Sequence, residues 1–167
     1  PNAKSQDFHL SQYDMAPLYI NPALAGMFNS ERGKPGDFRL MADYRSQWQK
    51  LQSKPFTNAA FAFDKPIKRF GIGGYIMDNI AVISNYSTFS FIIGGSYAIT
   101  KPGSEKHYLT TGLQIGILHK KFGDSDLLFS SQYLNSYGLD AAADNGESFQ
   151  KASTLNFDSN LGIYYKY

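Results

Sequence analysis

The amino-acid sequence predicts an all-β chain, an antiparallel transmembrane β-barrel of the outer-membrane type, and three observations carry that expectation. Large apolar residues alternate with small or polar ones at a period of two in segment after segment. Aromatic residues are abundant, with 13 Phe and 12 Tyr among 167 residues. Charged residues make up 18%, below the roughly 25% usual for soluble domains. One segment decides between helix and strand. The uncharged run between Asp78 and Lys101 is long enough to cross a bilayer as a helix. It is interrupted by Ser84, Asn85, Ser87, Thr88, Ser90, Gly94, Gly95 and Ser96, which cost a helix both propensity and hydrophobicity.

Taken in order, the first strand is expected over 38–49, where Phe38, Leu40, Ala42, Tyr44 and Trp48 share one side and Arg39, Asp43, Arg45 and Gln47 the other. Ionisable groups on a membrane strand are costly unless paired or wet. That face therefore points to the lumen or a rim, with Arg45 within reach of Asp43, and Trp48 suits an interfacial aromatic girdle. Shorter strands are expected at 58–64, through Phe61 and Phe63, and at 70–77, around Phe70, Ile72 and Ile76. From Phe89 to Ile99 the odd positions are Phe89, Phe91, Ile93, Gly95, Tyr97 and Ile99, opposite Ser90, Gly94, Ser96 and Ala98. Residues 108–119 set Leu109, Leu113, Ile115 and Ile117 against Thr110, Gly112, Gln114 and Gly116. Residues 155–167 set Leu155, Phe157, Leu161, Ile163, Tyr165 and Tyr167 against Asn156, Asp158, Asn160 and Gly162. Lengths of roughly 9–11 residues suit a tilted membrane strand.

Lys65-Pro66, Lys101-Pro102-Gly103 and Gly123-Asp124 are the expected turns, and 135–153 is a longer polar loop. Residues 17–20 and 127–134 are the places for additional strands. Membrane barrels start at about eight strands, so these six imply hidden strands or the first part of a larger barrel, and the second is preferred. The division expected is an irregular segment over 1–37, then barrel strands over 38–167. The rival soluble architecture is a sandwich or lipocalin-like calyx. Against it, the polar side of the clearest strands carries Gly, Ser, Thr and Ala rather than Lys and Glu, which suits a crowded interior.

Composition excludes several function classes. A formal charge of +2, without a basic stripe, offers nothing to track phosphates, so nucleic acid is not an expected partner. The chain has no cysteine, which removes disulfides, thiolate zinc sites and thiol catalysis. Gly71-Ile72-Gly73-Gly74 lacks the third glycine spacing, following helix and downstream acid of a dinucleotide loop. His9, His107 and His119 show no ligand spacing, and Asp124-Ser125-Asp126 and Asp144-Asn145-Gly146-Glu147 fall short of a calcium site's oxygen count. No catalytic residue, metal or cofactor is expected. No basic block followed by an apolar core of about 7–15 residues opens the chain, so a signal peptide is absent or already removed.

Residues 6–26, QDFHLSQYDMAPLYINPALAG, fit neither period. With Asp7-x-His9-x-Ser11-Gln12, Pro17-Leu18-x-x-Asn21-Pro22-Ala23 and Ala25-Gly26, this stretch resembles the mature start of the PorP/SprF family of type IX protein secretion and gliding. Tyr44-Arg45-Ser46-Gln47-Trp48 resembles that family's YRxQW strand. Phe63-Asp64 with Gly71-Ile72-Gly73-Gly74 resembles its next hairpin, and Phe157-Asp158 through Gly162-Ile163-Tyr164-Tyr165 a later strand. Phe8 stands where members more often carry proline.

Physically, Pro22 pushes Asn21 out of the helical region, and Ala23 to Gly26 can form one helical turn stopped by glycine. The segment is either a plug within the lumen or an arm on the periplasmic rim, with Ser11, Gln12, Asn21, Pro22, Ala23 and Gly26 as its plug- or partner-binding residues. The resemblance implies a non-enzymatic component of type IX secretion in the outer membrane of a Gram-negative bacterium. Its implied partners are a periplasmic ring lipoprotein, other secretion components, outer-membrane lipid, and the C-terminal domain of a secreted adhesin or proteinase. A fatty-acid-type outer-membrane transporter is the rival, since that family's plug also holds Asn-Pro-Ala before its first strand; an apolar lumen pocket would mark it.

Overall fold

The computed structural model describes residues 16–28, 31–32, 34, 36–47, 56–81, 86–101, 107–122, 133–134, 138–139 and 152–167. After a short helical segment and the paired β1 (Met27–Phe28) and β2 (Glu31–Arg32), the main strands follow: β3 (Arg39–Gln47), β4 (Phe56–Ile67), β5 (Phe70–Ala81), β6 (Tyr86–Ala98) and β7 (Tyr108–Phe122). The two-residue strands β8 (Tyr133–Leu134) and β9 (Gly138–Leu139) pair with each other before β10 (Ala152–Lys166). The six long strands form one antiparallel meander in the order β3-β4-β5-β6-β7-β10, a partial barrel whose edges β3 and β10 do not meet. Among the described residues no helix is long and apolar enough to cross a membrane.

Register makes the sheet two-faced. Phe61, Ile76, Phe91, Ile117 and Phe157 lie side by side across five strands, and every one of them is exposed. On the other face, Arg39, Asp64, Gly73, Gly94, Gln114 and Asn160 form a row three positions further along. Six strands obey the alternation read from the sequence. An exposed apolar face this wide is stable against lipid and a liability in water. From Phe89 to Tyr97 the band spans eight residue-to-residue rises along β6, about 26 Å at roughly 3.3 Å per rise. At a tilt of roughly 40° it covers most of a barrel's apolar belt of about 25 Å.

The core lies on the opposite face. Leu18 and Ala25 from the N-terminal segment bury themselves against Met41, Ala62, Tyr75, Met77 and Ile92, and a smaller cluster joins Met27 to Ala98 and Tyr108. This inverts the calyx alternative, in which the apolar side of the strands would be the enclosed one.

Two local expectations need correction. Lys65 and Pro66 are not a turn: β4 runs through them, and the chain reverses at Lys68-Arg69, with Lys68 in the left-handed region at φ 55°. The closing pair Ile67↔Phe70 uses both its hydrogen bonds, so the N–H position of Pro66 faces away from β5. The β3 ladder stops at Arg39↔Asp64, so the missing donor costs no bond there. Residues 17–20 are not a strand but a four-residue α-helix. Of 127–134, where a further strand is expected, Tyr133–Leu134 is a strand, and 127–132 lie outside the described residues.

Candidate functional site

The N-terminal segment owes its shape to its two prolines and its glycine. Pro17 opens helix α1 (Pro17–Ile20), a position where its missing N–H is not needed. The turn closes with Asn21 N–H donating to the Pro17 carbonyl at 2.9 Å. Pro22 then holds Asn21 extended, and the Asn21 Oδ1 accepts from Ala23 N–H at 2.9 Å, capping a 3₁₀ turn over Pro22–Leu24. Gly26 takes φ 68°, a left-handed conformation that strains any residue with a Cβ. The chain thereby swings back across the sheet into β1.

Thirteen residues, 16–28, reach all six long strands. Phe28 lies under the Arg39 guanidinium of β3, 4.9 Å from ring centroid to Cζ. Gly26 N–H donates to Asp64 Oδ2 of β4 at 2.6 Å, and Tyr19 meets Tyr75 of β5 edge-on. Ser96 Oγ of β6 donates to the Ala25 carbonyl at 2.6 Å, and Gln114 Nε2 of β7 donates to the Leu18 carbonyl at 3.1 Å. Asn21 Nδ2 donates to the Ile163 carbonyl of β10 at 3.0 Å. Both ends of the Asn21 amide are thus used, one to shape the segment and one to fasten it.

The glycines of the covered face make room for this contact. A Cβ on Gly112 would run into the backbone of Pro22 and Ala23, and one on Gly162 into Asn21 Oδ1 and the Pro22 ring. One on Gly73 would come within 2.9 Å of Leu18 Cδ1. The small residues thought to suit a crowded interior face the segment that crowds it.

Asp64 is the anchor. Its carboxylate is 0% exposed and is gripped in bidentate fashion by Arg39, Nε to Oδ1 and Nη2 to Oδ2, each at 2.8 Å. A buried charge is tolerated only when paired and hydrogen-bonded. Arg39 supplies the pairing, and Gly26 N–H adds a third, charge-assisted bond.

Of the residues singled out from sequence, Asn21, Pro22, Ala23 and Gly26 all touch or approach the sheet as described. Arg39, Asp43, Arg45 and Gln47 alternate along the covered side of β3, opposite Asp64, Ala60, Asn58 and Phe56. The ion pair displayed there joins Arg39 to Asp64, and Asp43 Oδ1 is buried without a hydrogen-bond partner. Asp43 lines a small cavity with Ala16, Tyr19, Met41, Ala60 and Met77. Ser11, Gln12, Trp48, His9 and the acidic clusters at 124–126 and 144–147 lie outside the described residues. His107 bonds the Tyr165 hydroxyl at 2.6 Å and His119 the Ser153 hydroxyl at 2.8 Å. Sequence reasoning missed Asp64, Ser96, Gln114 and the glycine seats as site residues. Their signals were a position on the small-residue side of a strand and, for Asp64, Gly73 and Gly162, a place in the motifs that carry the family resemblance.

The family model of the type IX secretion system membrane protein PorP/SprF matches residues 2–167. The chain belongs to the PorP/SprF family. Searches of curated proteins and of solved structures give no match. In this PorP/SprF chain the motifs that carried the resemblance converge in space. The Asn21-Pro22-Ala23 turn sits on Gly112 and Gly162, Leu18 on Gly73, and the Phe63-Asp64 pair supplies the anchor. Such contacts immobilise a segment.

Proposed function

We propose that this PorP/SprF protein is an outer-membrane docking component of type IX secretion, a barrel used as a platform rather than a conduit. Its periplasmic turns meet a ring lipoprotein of the secretion machinery, and its extracellular side receives the C-terminal domain of a translocated adhesin or proteinase. The N-terminal segment serves as the plug. The observation that supports this reading is that segment 16–28 lies across all six long strands of the covered face, fastened by hydrogen bonds to β4, β6, β7 and β10. A face spanned in this way is filled from within.

The transporter alternative gains no support. An apolar cavity of about 640 Å³ is lined by Phe61, Phe63, Ile76, Phe91 and Leu113 of the outward face, whereas the cavity on the covered side, beside Asp43, measures about 20 Å³, room for about one water, and the segment's fastening is polar and ionic. Deleting the gene tests the proposal: secretion and surface display of adhesins or proteinases are expected to fail, and cargo appearing normally on the cell surface would overturn it.

A further inference from the structure

The two ends of the sheet differ in charge and in connection length. At one end lie the two-residue turn 68–69 and the connection 99–107; at the other lie 48–55, 82–85 and the 123–151 connection. Outer-membrane barrels keep short turns on the periplasmic side and long loops outside; the two extremes of length, the turn 68–69 and the connection 123–151, make the first end periplasmic. That end gathers Lys34, Lys65, Lys68, Lys101 and Lys166, all exposed, and none in an ion pair among the described residues. Backbone contacts hold them on one rim. Ala98 N–H reaches the Arg69 carbonyl, Ile99 N–H the Leu109 carbonyl, and Tyr108 pairs with Lys166. The acids at this end are Asp37, which accepts from the Lys34 backbone N–H at 2.7 Å, Glu31 of β2, which pairs with Phe28, and, by sequence, Glu105 of the 99–107 connection, which also carries Lys106. At the other end, the 123–151 connection carries Asp124, Asp126, Asp140, Asp144 and Glu147 against Lys151, and the 48–55 connection carries Lys50 and Lys54.

We infer that the lysine rim of the short-turn end is the docking surface for an acidic face of a periplasmic protein. This rests on the proposed function for the partner's identity, the ring lipoprotein. Lipid headgroups are the other chemistry that would attract lysines, but the placement argues against them. Lys65 alone projects on the apolar outward side of a strand. Lys34, Lys68 and Lys101 lie beyond strand ends, and Lys166 stands on the covered side, so the charge rings the mouth in water. Unpaired cations at such a rim steer an acidic partner and make its binding salt-dependent.

The test uses the full-length protein in nanodiscs of zwitterionic lipid and the purified ring lipoprotein, with Lys34, Lys68, Lys101 and Lys166 changed together to Glu or to Arg. Heat-modifiable migration in SDS gels verifies that each variant folds. The expected result is a loss of affinity of about tenfold or more in the Glu variant, near-native affinity in the Arg variant, and weakening of the wild-type complex by salt. Equal affinity in the Glu variant overturns the inference, as does wild-type binding that appears only when anionic phospholipid is added. The two proposals fail separately. Normal cargo display after gene deletion defeats the secretion reading, whereas cargo display that needs the gene but ignores the Glu substitutions defeats the rim alone.

Discussion

Asp64 ties the docked segment to both β3 and β4. It accepts one bond from the segment and two from Arg39 while wholly buried. Removing one partner of a buried ion pair costs roughly 3–5 kcal/mol. Arg39 is 26% exposed and regains some hydration, so Asp64→Asn is expected to cost about 3 kcal/mol, the low end of that range. Urea unfolding in lipid vesicles measures it; a midpoint equal to wild type would show that Asp64 anchors nothing. The sequence made half of this pair legible. Alternation put Arg39 on the covered side, but a cross-strand partner depends on register, and register depends on where the hairpin turns. The connection between β3 and β4 spans 48–55, too long for alternation to fix the register Arg39↔Asp64, so the carboxylate in reach by sequence was Asp43's, two residues along the same strand from Arg45.

Among elements, the docked segment is the one whose identity rests on its seat. Its helix has four residues and its 3₁₀ turn three, too short to form alone or to show any period, which explains why 17–20 read as strand. The prolines, Asn21 and Gly26 were readable as turn chemistry; the surface they would meet was not. Gly112→Val is expected to displace the segment while leaving the strands paired, because the added methyls enter space held by Pro22 and Ala23 backbone. With no native cysteine, an Ala23→Cys label is unambiguous. Water-soluble maleimide should react slowly with A23C alone and rapidly with A23C carrying Gly112→Val. Equal rates would mean that the glycine is no seat.

For the whole molecule, strand parity predicted which side of each long strand is apolar, because the pleat sets faces regardless of what the sheet encloses. What covers the other side was beyond it, since that contact joins residues far apart in sequence. The two faces answer differently to charge. Ile117→Arg, in the middle of the exposed apolar row, is expected to cost about 2–4 kcal/mol in a bilayer, while Asn156→Arg, its neighbour on the opposite side, leaves the folded fraction in vesicles near wild type. Similar losses at both positions would contradict the lipid-facing assignment. The bond from Asn21 to Ile163 also bears on how the protein is made. Its partners are 142 positions apart, so the first part of the chain to be synthesised cannot complete its seat until the strand holding Gly162 and Ile163 has been laid down. Closing so long a loop is entropically unfavourable until the intervening pairings exist. The segment thus docks last, and its arrival marks a sheet assembled through β10.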